Sequence, residues 1–193
     1  MKVPGLDTTE FEKDLAFTIP EFERRLAGVR DQMKTRELDV LLVTTPENIY
    51  YLSGYHTPGY YCAQCLIVPL DGEPIHLTRG TEETNAKMLS WLERTDSYMD
   101  HESPVELFAQ TLKDDGFERA RIGLEKISWF LPVADFERLQ TLLPDAVLKD
   151  GSMTVEACRM VKSEPEIACI REAARLSAIG MSAGLETIGE GVT

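Results

Sequence analysis

The sequence is short of several things at once, and each shortage excludes a class of protein. Four cysteines in 193 residues, at positions 62, 65, 158 and 169, are too sparse for the disulfide framework of a small secreted scaffold, so free thiols are expected. Lys and Arg number 20 against 33 Asp and Glu, a net charge of −13, which repels phosphate backbones and anionic lipid surfaces and argues against nucleic acid or a membrane as partner. No apolar run approaches the roughly 20 residues that span a bilayer. Residues 1–18 lack the basic start and apolar stretch of a secretory leader, and a cytoplasmic protein is expected. The three histidines, His56, His76 and His101, never fall four residues apart, so no H-x-x-H or H-E-x-x-H metal helix exists. There is no glycine-rich phosphate loop, no G-x-S-x-G elbow, no internal repeat and no low-complexity segment.

What is present organises into alternating helix and strand. Thr18-Ile19-Pro20-Glu21, Ser103-Pro104-Val105-Glu106 and Ser163-Glu164-Pro165-Glu166 share one device: a hydroxyl residue, Pro in the first turn, and Glu three residues on. Each reads as a capping box at a helix start. Phe22, Leu26, Val29 and Met33 then form the apolar stripe of an amphipathic helix. "DVLLVTT", "CLIVPL" and "PIHLTR" are strand-like, the last two flanking the hairpin turn Asp71-Gly72. Beyond them the pattern predicts a helix over 81–93, a weak strand over 97–101, a helix closed by Gly116, a strand "RIGLE", a helix over 132–143, a strand "AVLKD" and a short helix over 153–160. Helix and strand in turn, with one hairpin inserted, imply a three-layer α/β domain with a mixed sheet. Residues 1–17 carry Pro, Gly and mixed charge without periodicity and read as an arm that Phe11 and Phe17 pin down.

Candidate functional residues are few. Cys62-Ala63-Gln64-Cys65 has redox or metal spacing, but it runs into a strand that sends the two thiols to opposite faces, and no second pair completes a zinc site. His76 alternates with Ile75 and Leu77 and reads as structural, and His101 beside a helix cap reads as exposed. The stretch "NIYYLSGYHTPGYYCAQ", 48–64, holds five tyrosines and two turn pairs between strands. Aromatics with polar tips on a loop at a strand end suit a ligand pocket or an interface. Ile49, Tyr50 and Leu52 read as a short packed helix, whereas His56, Tyr60, Tyr61 and Gln64 are open to either role, ligand contact or ordinary packing. Arg79 reads equally as a surface charge or an interface anchor.

"FERRLAGVRDQMKTRELDVLLVTTPENIYYLSGY", "DGEPIHLTR", "RMVKSEPEIACIREAARLSAIGMSAG" and "GEGVT", in that order, resemble the N-terminal half of the creatinase/prolidase superfamily over residues 18–193. The resemblance implies a creatinase/prolidase N-terminal domain, ribonuclease H-like, over 18–160, and a long linker helix over 161–193 leading into an absent catalytic domain. That missing domain is expected to hold two divalent ions, Mn or Co, through five side chains, so no catalytic or metal-ligand residue carries over and this chain alone is expected to be inactive. The implied parent is a metal-dependent Xaa-Pro dipeptidase or aminopeptidase. The alternatives are a C–N hydrolase of the same fold, ectoine hydrolase- or creatinase-like, and a free-standing dimerisation or ligand-binding module. In creatinase-like members the segment after the "SGY"-like turn faces an active site, often the neighbouring subunit's. This implies that His56, Tyr60, Tyr61 and Gln64 bind a small peptide or amide substrate, in a homodimer. Creatinase resembles this chain less where it has Arg near Cys62, and Tyr-Tyr-Cys-Ala-Gln-Cys is more similar to the ectoine-hydrolase branch.

Overall fold

The computed structural model describes residues 13–191, and the counts and absences below concern these. Chain order is α1 (Ile19–Thr35), β1 (Val40–Val43), α2 (Pro46–Ser53), β2 (Cys65–Pro69), β3 (Ile75–Arg79), a 3-10 turn (Gly80–Glu82), α3 (Glu83–Leu89), β4 (Arg94–Tyr98), α4 (Pro104–Asp114), β5 (Arg121–Leu124), α5 (Val133–Leu142), β6 (Val147–Asp150), α6 (Thr154–Met160) and α7 (Glu164–Thr187). The strands form one mixed sheet in the order β4-β3-β2-β1-β5-β6. Only β2 runs against the rest: it pairs antiparallel with β1 and β3, while β3–β4, β1–β5 and β5–β6 are parallel.

The central strands read as unbroken apolar runs because both sheet faces are covered. Leu41, Val43, Leu66 and Val68 meet the stripe of α1 together with α2, Ala86 of α3 and Val155 of α6. Val40, Leu42, Cys65, Ile67, Ile75 and Leu77 meet α4 and α5 on the other side. Each such side chain contributes about 1.5–3 kcal/mol by leaving water. The three layers are those the alternating pattern implies, with the mixed sheet in the middle. Two glycines let neighbouring chain approach the sheet: a Cβ on Gly123 would lie 2.6 Å from Leu38 Cδ1 and 3.0 Å from Leu41 Cδ1, and one on Gly151 would lie 2.7 Å from Leu41 Cδ1 and 2.9 Å from the Leu124 backbone nitrogen.

Three local expectations need correction. Of the expected capping boxes only that of Ser163 closes, its hydroxyl accepting from the Glu166 N–H and its own N–H donating to the Glu166 carboxylate at 2.7 Å. Ser103 Oγ accepts from the Glu106 N–H, but the Glu106 carboxylate takes a hydrogen bond from Arg138 at 2.6 Å. Thr18 makes no side-chain cap bond, and the Glu21 carboxylate accepts instead from Arg24 at 2.7 and 2.9 Å and from the buried Arg25 at 3.1 Å. The helix expected over 81–93 is only Glu83–Leu89. It stops where the buried Ser90 hydroxyl accepts from the Leu92 N–H and Trp91 turns inward to donate its indole N–H to the Leu52 carbonyl at 2.8 Å. The strand expected over 97–101 lies at Arg94–Tyr98, in parallel register with Ile75–Arg79.

In the expected arm, residues 1–12, with Phe11, lie outside the described residues. Asp14 donates its N–H to the Met88 carbonyl at 3.0 Å, and the Phe17 ring lies 4.1 Å from the Arg25 guanidinium. The chain divides into two compact units, one ending at Cys158 and one beginning at Arg159. No residue of α7, the long helix of the second unit, is buried.

Candidate functional site

Because five of the six described strands are parallel, their carboxyl ends share one edge of the sheet. Ligands of open α/β sheets bind outside that edge. The connections leaving it are 44–64 after β1, the 3-10 turn after β3, 99–103 after β4, 125–132 after β5 and 151–153 after β6.

The 44–64 connection begins with α2 and leaves it through Gly54, whose φ of 85° is left-handed. A side chain there is strained by that conformation, and a Cβ would stand 3.0 Å from the Leu89 carbonyl oxygen and 3.1 Å from the Phe22 ring. Tyr55 then dives inward, its ring 4.5 Å from the buried His76 ring. Burial raises the Tyr55 phenol pKa to about 12. The chain resurfaces at His56, exposed and edge-on to Tyr50 at 5.8 Å. Tyr60 and Tyr61 follow the Pro58-Gly59 turn, 54% and 76% exposed. Their rings lie 6.2 Å apart, and Tyr60 lies 6.2 Å from Phe130 of the 125–132 connection, both pairs edge-to-face. Next to Phe130, Trp129 is 94% exposed. Gln64 is apart from these: it is 4% exposed, and its Oε1 accepts no hydrogen bond among the described residues. The structure thus gathers Tyr60 and Tyr61 into one aromatic cluster, leaves His56 at its margin, and buries Gln64 at the start of β2. All four cysteines are free thiols; burial pushes the Cys65 thiol up, and Cys62 lies 3.9 Å from Arg79, whose guanidinium grips Asp100 with two bonds of 2.6 Å.

The sequence reading missed two carboxylates here. Glu82 Oε2, in the turn after β3, accepts from Thr57 Oγ1 at 2.7 Å, Tyr55 OH at 3.0 Å and Asn85 Nδ2 at 3.2 Å. Burial opposes its charge, but the bonds from Thr57, Asn85 and Tyr55 outweigh burial and hold the carboxyl below its ordinary range. Glu125, buried at the end of β5, accepts from the N–H groups of Thr44 and Thr45 at 2.8 Å each and from Asn48 Nδ2 at 2.6 Å. It caps α2 from a distance, and burial raises its pKa against those hydrogen bonds. Asn48 also donates to Glu156 at 2.8 Å, tying α2 to α6. The only signal available in sequence was a Glu closing the strand motif "RIGLE".

Among the described residues no three His, Cys, Asp or Glu side chains converge as metal ligands. No described helix is long and apolar enough to cross a membrane.

An open α/β sheet presenting an aromatic loop at its strand carboxyl ends defines the class. The Creatinase/Prolidase N-terminal domain model matches residues 25–161, and the chain belongs to that family. Over 187 residues it is 32% identical to the ectoine hydrolase of Halomonas elongata, matching 92% of this chain and 47% of that protein. It is also 32% identical to the hydrolase/peptidase y4tM of Sinorhizobium fredii, 48% of which is matched. Among solved structures, the prolidase of Thermococcus sibiricus superposes with a TM-score of 0.73 at 21% identity, over 88% of this chain and 45% of that one. The chain spans about half the length of the curated relatives it matches.

Proposed function

We propose that this chain is the N-terminal part of a C–N hydrolase acting on ectoine or a closely related small cyclic amidine, and that Tyr60 and Tyr61, with His56 at the margin, form one wall of its substrate site. The observation that carries this reading is the cluster of exposed Tyr60 and Tyr61 with half-buried Phe130 at the strand carboxyl ends. A ring bearing a delocalised amidinium is attracted to aromatic faces within about 6 Å. The 32% identity to an ectoine hydrolase supports the same substrate class. By family resemblance, residues 18–160 are the domain proper and 161–193 the linker helix. The same resemblance assigns two divalent ions, Mn or Co, to a catalytic domain not contained in this chain, and a homodimer to the whole protein. Four free thiols suit a reducing, cytoplasmic setting.

The test is turnover by the whole hydrolase of ectoine beside a set of Xaa-Pro dipeptides, with the Tyr60→Ala/Tyr61→Ala double variant in parallel. Ectoine opening, with KM raised at least about tenfold in the variant, corresponds to loss of one or two aromatic contacts of about 1 kcal/mol each. Because both rings are exposed, the melting temperature should stay within a few degrees. Cleavage of Xaa-Pro bonds with no turnover of ectoine would overturn the substrate and leave the peptidase reading.

A further inference from the structure

Thr57 Oγ1 donates to Glu82 Oε2 and accepts from the Gly59 N–H at 2.9 Å, while the Gly59 carbonyl accepts from the Cys62 N–H at 2.9 Å. These bonds form one path: from a carboxylate, through a hydroxyl, to the backbone on both sides of Tyr60 and Tyr61. Tyr55, at the near end of the loop, hangs on the same carboxylate oxygen. Gly59 packs against the clamp, for a Cβ there would lie 3.2 Å from Thr57 Oγ1 and 3.5 Å from Glu82 Oε1. The oxygen therefore holds the limb that leads into the tip at two points, Tyr55 and Thr57, and it comes from outside the loop, on the far side of the β2–β3 hairpin. Hydrogen bonds to an ionised acceptor are about twice as strong as neutral ones, so the charge on Glu82 rather than its shape holds the segment together.

We infer that Glu82 is a positioning residue: its carboxylate, relayed through Thr57, sets the orientation in which the loop presents Tyr60 and Tyr61. The structural half of this inference stands on the hydrogen-bond path alone, and the functional half rests on the reading that these tyrosines meet substrate.

Glu82→Gln tests it, because the amide can keep one oxygen where Oε2 accepts from the three donors but removes the charge. Site-resolved amide exchange on this chain should show the Gly59 and Cys62 amides accelerating about ten- to a hundredfold, the span expected for losing a charge-assisted bond, with β1 and β5 amides unchanged. Thr57→Ala should reproduce the effect, whereas Thr57→Ser, which keeps the hydroxyl, should not. Unchanged exchange at Gly59 and Cys62 in both Glu82→Gln and Thr57→Ala would overturn the clamp whatever the loop does. In the whole hydrolase, Glu82→Gln should raise KM at least about fivefold at near-constant kcat, and should add nothing in a Tyr60→Ala/Tyr61→Ala background. If the tyrosine variant leaves turnover untouched while exchange still responds to Glu82→Gln, the substrate reading fails and the clamp stands. If the tyrosine variant raises KM and Glu82→Gln does not, the positioning role is overturned.

Discussion

His76 shows how one buried residue shapes the pH response of the molecule. Both its ring nitrogens are buried without a hydrogen-bond partner, and burial lowers its pKa to about 4. The folded state holds the ring neutral while the unfolded chain takes up a proton near the ordinary value of about 6.5. Its contribution is therefore fully present above about pH 6.5 and is lost progressively as pH falls toward 4, amounting to about 3 kcal/mol across that window. His76→Leu, similar in volume and without polar atoms, should leave stability at pH 7.5 equal or higher and remove this acid-side loss. Urea titrations at pH 7.5 and 4.5 check it. Glu125, whose carboxyl burial holds high, changes in the opposite sense, so the difference between wild type and variant isolates His76. That His76 sits in a strand was legible from its place between Ile75 and Leu77; its burial was not, because strand neighbours face opposite sides of the sheet. The Tyr55 ring against it was not, because that contact depends on how the chain leaves Gly54. The buried Arg25, which donates to the Tyr51 carbonyl at 3.0 Å with the Phe17 and Tyr51 rings 4.1 and 4.6 Å away, was equally hidden, since "ERR" in a helix reads as a solvated face.

At the scale of elements, the same sequence device has three outcomes. Ser163 closes a full box, Ser103 half of one, and Thr18 none. Ser163→Ala should therefore cost about 1 kcal/mol of local helix stability, read as faster exchange of the Glu166 and Ile167 amides. Thr18→Ala should change global stability by less than about 0.5 kcal/mol in a thermal melt. Strands β1, β2, β3 and β5 could be read directly because apolar runs bounded by turn residues have few alternatives. The edge strand β4, Arg94–Tyr98, could not: its exposed residues carry no apolar signal, and pairing with β3 decides its limits. In the loop, a tip exposing Tyr60 and Tyr61 follows from Pro58-Gly59. The contribution of Phe130 does not, since it arrives across the sheet edge from 70 residues further along.

For the whole molecule the contrast between the two units matters most. The first has a core on both faces of its sheet, and both tryptophans, Trp91 and Trp129, belong to it. In the second, α7 runs 24 residues with none buried, and most helical stability in proteins comes from tertiary packing. Heating this chain should accordingly lower the far-UV helical signal before tryptophan emission shifts, giving two non-coincident curves. Coincident transitions at all wavelengths would show that the helix unfolds with the sheet.

Gly123 and Gly151 also set which sequence changes can compensate for one another. The nearest atoms to an alanine Cβ at Gly123 are the side-chain tips of Leu38 and Leu41, so trimming Leu38 provides the missing space, and a genetic screen for revertants of Gly123→Ala should return smaller residues there. An alanine at Gly151 would meet the backbone of Gly123 and Leu124 as well as Leu41. No side-chain replacement moves main chain out of the way, so that lesion should yield true reversion alone. Two glycines facing one leucine therefore differ in kind: the first belongs to a negotiable packing group, and the second is a fixed point of the chain's path.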